Sequence, residues 1–358
     1  LFLDEFHRKA EMKEKKSDKQ RNFSIKFFSS IAILYTICIL CMTGCRRAQP
    51  LRQDLPANER ESYRIGLSLP TTQLIYRKAM KELVEAAYPG TQDDGGIEIL
   101  IYDAGGSQKQ QNQDILEMTD LGVDGIVLIP GTMEGCLSSV EYANTKGVPV
   151  ITVDNRIRSS TSARAVSFVG ADHYSMGKDA ATLFLRLLEE QYPEKEIWNV
   201  IQLTGIPDTS GAIDRGQAIA DTLSGNSRIR LLGSYDGEFT VINAKSVMED
   251  CLVIFDEIDG VICQNDNMAE GCYLALKEAD KDGSVIVVGI DGQKSTLEIM
   301  ADGGIHGTVL QHPSMILDGI HHLCRYLDGN TLDENYIEPT DIIDKTNVKD
   351  YLEHDLTW

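Results

Sequence analysis

"GVICQNDNMAEGCYLALKEAD", residues 260–280, carries the reading that decides the fold. An apolar run, Val261-Ile262-Cys263, gives way to four polar residues, Gln264, Asn265, Asp266 and Asn267, and a helical pattern begins at Met268. A short apolar run without polar alternation suits a strand buried on both faces, as in a parallel sheet. Ligands of open parallel sheets bind beyond the carboxyl ends of the strands. The polar residues at this strand exit therefore stand where a ligand would be held by hydrogen bonds.

The same unit recurs on both sides. Strand-like runs "YRIGLSL", "IEILIYD", "GIVLIP", "VPVITVD" and "VSFVG" form one series from Tyr63 onward, and "IWNVIQLTG", "IRLLGSY", "GVICQND", "VIVVGID" and "GTVLQ" form a second. Amphipathic helical segments lie between them, for example "QKQQNQDILEMTDLG", "AIDRGQAIADTLSG" and "SMILDGIHHLCRYLDG", several closing on the Gly that ends helices. Regular alternation of this kind makes an α/β fold with parallel sheets. Ten strands and a restart near residues 171–196 point to two doubly wound lobes; a single eight-stranded barrel is the alternative and accommodates them less well. The residues leaving the strands are Ser68, Asp103, Asp154, Asn155, Asn265, Asp266, Asp291 and Gln311.

The chain has 358 residues, enough for two domains, and a formal net charge of −21. Nucleic acid is not an expected partner, because phosphate binding needs a basic footprint. The first 60 residues differ in kind. "MKEKKSDKQRNFSIKFF" is basic and "SSIAILYTICILCMTGC" is apolar, ending in small residues before Cys45. A basic segment, a short apolar core and a small-residue cleavage site make a secretory signal over residues 1–44. The core, 31–42, is shorter than the roughly 20 residues of a spanning helix. Met12 directly precedes the basic run, so residues 1–11 read as an upstream translation. Residues 45–61, with two prolines and no hydrophobic period, read as a tether. Of eight cysteines, five lie beyond Cys45 with no CxxC spacing, and read as small core hydrophobes rather than a disulfide framework or zinc site.

Catalytic signatures are missing. No GxGxxG follows a strand, and neither GxxxxGK[ST] nor GxSxG occurs. The glycines of "YDAGGSQ" read as a loop, "EADKDGS" as a turn without the ligands of a calcium loop, and His306, His312, His321 and His322 lack metal spacing. No cofactor is indicated. What remains is a set of carboxylates and amides at strand ends, with a few aromatics. Planar carboxylates and amides engage two neighbouring hydroxyls at once, and an aromatic ring covers the C–H face of a sugar. Any single member could instead be a helix cap, Asp291 above all.

"MTGC" (42–45) resembles the bacterial lipobox, which implies that Cys45 becomes lipid-modified. From Tyr63 to about Asp344 the chain resembles the ribose- and galactose-type periplasmic sugar-binding proteins, through "RIGLSLPT", "LGVDGIVLIP", "GVPVITVDN", "VSFVGADHYSMGKDAA", "IQLTGIPDTSGAIDRGQAI", "CQNDNMAEGCYLAL", "VIVVGIDG" and "TVLQHP". The resemblance implies two lobes joined by a three-segment hinge, 62–170 with 312–337 and 171–311 with 338–358. It implies hydroxyl-binding acids at Asp154 and Asp291, a sugar-binding amide at Asn265, a hinge-side amide at Gln311 and an aromatic over the ring at Phe239. Asn155 and Arg156 stand where ribose binders carry an Arg after the acid, and Ile213 stands two residues before Arg215 where they carry another. The opening loop "PTTQLIYRKAM" is closer to xylose binders, with Tyr76 or Arg77 near the aromatic position. The implied function is a monomeric, non-enzymatic, extracytoplasmic lipid-anchored receptor that closes on a monosaccharide and delivers it to an ABC permease. The rivals are a sensor that presents its ligand to a membrane kinase or chemoreceptor, a DNA-binding regulator and an enzyme on the same fold. A regulator would need an N-terminal helix-turn-helix where this chain has a signal and tether.

Overall fold

The computed structural model describes residues 62–89, 96–158, 160–354 and 358. The signal, the tether and Cys45 lie outside the described residues. Among the described residues no helix is long and apolar enough to cross a membrane.

The strands form two sheets of six. The first holds β1 (Tyr63–Leu69), β2 (Ile97–Asp103), β3 (Gly125–Leu128), β4 (Val150–Val153), β5 (Ser167–Gly170) and β11 (Asn335–Ile337), in the order β11-β5-β4-β3-β1-β2, all parallel. The second holds β6 (Trp198–Thr204), β7 (Ile229–Asp236), β8 (Gly260–Cys263), β9 (Ile286–Val288), β10 (Gly307–Leu310) and β12 (Asp341–Asp344), in the order β12-β10-β9-β8-β6-β7. Here only β12 runs antiparallel, against β10. Two separate sheets exclude the barrel. The chain passes between them three times, after β5, after β10 and between β11 and β12.

All ten apolar runs are strands. The two added ones, "NYI" and "DIID", are short and half polar, and they edge their sheets. The expectation that nearly every strand is buried on both faces holds for central ones such as β3, β4 and β8, but not for β2 and β7, which edge the sheets and are half-exposed. An edge strand has a neighbour on one side only, so fewer of its side chains are covered.

Helices fill both faces of each sheet: α1 (Ile75–Ala87), α2 (Gln108–Asp120), α3 (Leu137–Thr145) and α9 (Met315–Leu327) on the first; α4 (His173–Gln191), α5 (Ser210–Ser224), α6 (Val241–Ile254), α7 (Asp266–Glu278) and α8 (Lys294–Ala301) on the second; α10 (Val348–Glu353) packs on α8. Their starts are written locally. Ser107, Asp172, Thr209, Thr240 and Asn265 each accept a first-turn backbone N–H through the side chain. Each sheet carries an apolar cluster on either face, so each lobe has its own core. Cys136, Cys251, Cys263 and Cys272 are buried free thiols in these clusters and Cys324 is half-buried, the packing role expected of them.

Phe184, fully buried on α4, is among the largest side chains of the second core. Phe184→Ala should cost about 3–5 kcal/mol, read as a lowered midpoint in urea unfolding; a loss below about 1 kcal/mol would mean that this core is not packed as described.

Candidate functional site

The strand ends of both sheets face one cleft. Asp154 and Asn155 follow β4, Asn265 caps α7 after β8, Asp291 follows β9, and Gln311 follows β10. Tyr76 and Arg77 enter from the first turn of α1, His173 opens α4, Arg215 comes from α5, and Phe239 from the β7–α6 loop; all line the cleft, with Thr209 and Asn267. The space among them, part of it open to solvent, measures about 430 Å³.

Three of these residues hold backbones that L side chains rarely adopt: Asp154 (φ 61°), Phe239 (φ 60°) and Asp291 (φ 132°). Neighbours fix each one. The Asp154 N–H donates to the Val169 carbonyl, and its own carbonyl bonds His173 Nε2 at 2.7 Å. The Asp291 N–H donates to the Val309 carbonyl, and its carbonyl accepts from the Gln311 N–H. The Phe239 ring lies where Gly205 has no side chain; a Cβ there would come within 1.8 Å of it.

A line of charged and amide groups runs along the cleft. Arg77 Nη1 meets Asp154 Oδ2 at 2.5 Å. Gln311 Nε2 donates to Asp154 Oδ1 at 2.5 Å and to the Tyr76 hydroxyl at 2.7 Å. Arg215 Nη2 donates to Gln311 Oε1 at 2.6 Å and lies 3.4 Å from Asp291 Oδ1, while its Nη1 donates to the Gln264 carbonyl at 2.6 Å. Burial raises the Asp154 carboxyl, but the Arg77 guanidinium and other nearby positive charge outweigh it, and the group titrates below the usual carboxylate range. Asp291 titrates well above that range: burial is the chief cause, Arg215 offsets part of it, and Asp266 and Asp154 add to it. Burial, helped by Arg215, lowers His173 to about 4, so its ring is neutral at physiological pH.

Several sequence expectations change here. Arg156 does not enter the cleft: its guanidinium stacks 3.5 Å from the centre of the Phe168 ring and donates to Asn335 Oδ1 at 2.6 Å. The cleft's arginine beside Asp154 is Arg77, which sequence reasoning had weighed only as an alternative to Tyr76. Asn155 lines the cleft and also ties the lobes: its Oδ1 accepts from the Gly211 N–H at 3.0 Å and the Ser210 hydroxyl at 3.2 Å, at the start of α5. Asp291 is not a helix cap, since Gln293 holds that position of α8. Ser68 and Asp103 leave their strands without lining the cleft: Ser68 bonds Gln111, and Asp103 ties Thr72 and Gly105. His173 and Asn267 were missed; a lone His and a fourth polar residue in "QNDN" gave no separate signal.

Asp266 is a buttress rather than a cleft residue. Its Oδ2 accepts from the N–H groups of Gly292 and Gln293, both at 2.8 Å, and its Oδ1 from the Thr308 hydroxyl at 2.6 Å, which pins the loop carrying Asp291. Burial raises its pKa to about 7, against the lowering effect of those hydrogen bonds. A carboxyl that ionises at a higher pH when folded destabilises the fold once ionised: the stability is present below the unfolded pKa of about 4 and lost as pH rises toward 7. Asp266→Asn keeps the shape without the titration, so from pH 5 to pH 8 the variant should gain melting temperature relative to the parent. Parallel melting curves over that range would contradict this titration.

The comparisons with known proteins agree with this geometry. The periplasmic binding protein domain family matches residues 65–331. The ribose import binding protein RbsB of Bacillus subtilis (strain 168) is 26% identical over 289 residues, covering 80% of this chain and 89% of that protein. A crystal structure from Mycobacterium smegmatis in complex with β-D-fucofuranose superposes with a TM-score of 0.77 at 25% identity, over 82% of this chain and 95% of that one. The fructose-binding periplasmic domain of a hybrid two-component system superposes with a TM-score of 0.74 at 25% identity, over 82% and 94%. Two doubly wound lobes, a three-segment hinge and a match over most of the length lead to one conclusion: this chain belongs to the periplasmic binding protein family.

Proposed function

We propose that the chain is an extracytoplasmic receptor, anchored through lipid on Cys45, that closes its lobes on one neutral monosaccharide and hands it to an ABC permease. The pairing of the cleft's guanidinium and carboxyl groups carries the ligand class. Two guanidiniums, Arg77 and Arg215, stand against two carboxyls, Asp154 and Asp291, in direct contact. A phosphorylated or carboxylated ligand would find both guanidiniums already engaged by carboxyl and amide oxygens, whereas hydroxyls suit paired donors and acceptors. Three buried polar atoms of cleft-lining residues, Arg215 Nε, Asn267 Oδ1 and His173 Nδ1, have no hydrogen-bond partner. Buried groups of this kind ask for a partner, and a polyhydroxyl compound supplies both donors and acceptors. The Phe239 and Tyr76 rings offer apolar faces for the sugar's C–H groups. Bonds between the lobes support closure as the working motion: Met133 N–H to the Asp208 carbonyl at 2.9 Å and Arg156 N–H to the Ser210 hydroxyl at 2.9 Å, beside the Asn155 contacts.

The likeness to a two-component fructose-binding domain favours a second reading, in which the closed form is presented to a membrane kinase. Deleting the gene for this chain separates the two: loss of uptake of the bound sugar supports transport, and loss of sugar-induced transcription with normal uptake supports sensing.

D-Ribose, D-fructose, D-fucose, L-arabinose and D-galactose should be screened by thermal shift beside D-ribose 5-phosphate. At a hundredfold excess over Kd a ligand adds about 2.7 kcal/mol to stability, so one neutral sugar should raise the melting temperature and the phosphate should not. A shift with the phosphate alone would overturn the ligand class. For the sugar that binds, Asp291→Ala should weaken affinity about tenfold or more, since removing one partner of a buried hydrogen bond costs ~1–3 kcal/mol; unchanged affinity by calorimetry would remove Asp291 from the site. Cys45→Ala should move the protein from the membrane to the soluble fraction, and a variant still sedimenting with membranes would refute the lipid anchor.

A further inference from the structure

Trp358 joins the two lobes beside the cleft. Its ring packs against the apolar cluster of the first lobe and meets the Tyr76 ring edge-on, with centroids 5.1 Å apart and planes at 72°. Its polar atoms belong to the second lobe: the indole N–H donates to the Asp291 carbonyl at 3.1 Å, and the Trp358 carbonyl accepts from the Lys294 N–H at 3.1 Å. Two cleft residues thus share one neighbour. The circuit closes through Gln311, whose N–H donates to that same Asp291 carbonyl and whose side-chain amide donates to the Tyr76 hydroxyl.

We propose that Trp358 is a positioning residue for ligand capture, a bracket that holds Tyr76 of the first lobe and the Asp291 backbone of the second in the register at which both line the cleft. The Asp291 φ of 132° makes this more than packing. A strained backbone persists only where its surroundings over-determine it, and Trp358 adds one of the two donors on the Asp291 carbonyl. Tyr76 and Asp291 lie on different lobes, so opening the cleft must separate the Trp358 ring from Tyr76 or its N–H from Asp291. The bracket therefore favours the closed form, and its removal acts on escape of a bound ligand more than on entry.

The ligand half of this inference rests on the proposed sugar-binding function; the bracket itself is tested without ligand. The chain has two tryptophans, Trp198 and Trp358, and Trp198 is fully buried in the second core. The emission of the parent minus that of Trp358→Phe isolates Trp358. In ligand-free protein, Tyr76→Leu should raise acrylamide quenching of that component; unchanged quenching means that the ring contact is not formed in solution and overturns the proposal. With whichever of D-ribose, D-fructose, D-fucose, L-arabinose and D-galactose binds, Trp358→Leu should raise Kd about tenfold, or about 1.4 kcal/mol, mainly through faster dissociation in stopped flow. Trp358→Phe, which keeps a ring against Tyr76 and loses the N–H, should recover part of that loss. Equal Kd in Trp358→Leu and the parent overturns the proposal, as does a loss carried by slower association. If none of the five sugars binds, the sugar reading fails, and the quenching result still decides the bracket.

Discussion

The line Arg77–Asp154–Gln311–Arg215–Asp291 is the constraint on which the cleft depends. Each member is buried, and a buried charge is tolerated only when paired and hydrogen-bonded. Gln311 is the middle of the line and stands where the chain returns from the second sheet to the first. Its amide has one sensible orientation, N–H toward Asp154 and Tyr76, oxygen toward Arg215. A carboxylate there would repel Asp154, and an apolar residue would strand both neighbours. The charges of one lobe are thereby tied to those of the other through a single neutral side chain at the hinge.

Around that line the structure spends unusual backbone. Asp154, Phe239 and Asp291 take positive φ values, each fixed by hydrogen bonding or by an open space such as that over Gly205. Gly211 serves the same end at the facing rim, where a Cβ would press to 3.3 Å on the Asn155 amide oxygen that reaches across. Local cost is concentrated where the lobes meet, and the two cores behind the cleft are regular.

The fold was legible because its strands are apolar without alternation, and only β11 and β12, short and half polar, escaped. The cleft was legible in part. Strand exits identify Asp154, Asn265, Asp291 and Gln311 because a parallel sheet fixes where exits point. They also flagged Asp266, whose chemistry suits a site equally well but whose oxygens are taken by Gly292, Gln293 and Thr308. Arg77 and His173 sit on helices, where direction depends on tertiary packing that a sequence does not display. Arg156 shows the reverse: adjacency to Asp154 suggested the cleft, yet the backbone turn at Asp154 and the ring of Phe168 carry it elsewhere.

The central claim is the proposal that two lobes close on a neutral sugar held by this line of paired guanidinium, amide and carboxyl groups. Small-angle X-ray scattering of the protein, alone and saturated with the sugar it binds, tests it most directly. The account predicts a smaller radius of gyration with sugar, as an ensemble containing open molecules shifts to the closed form. A radius and scattering profile unchanged at saturation would contradict it.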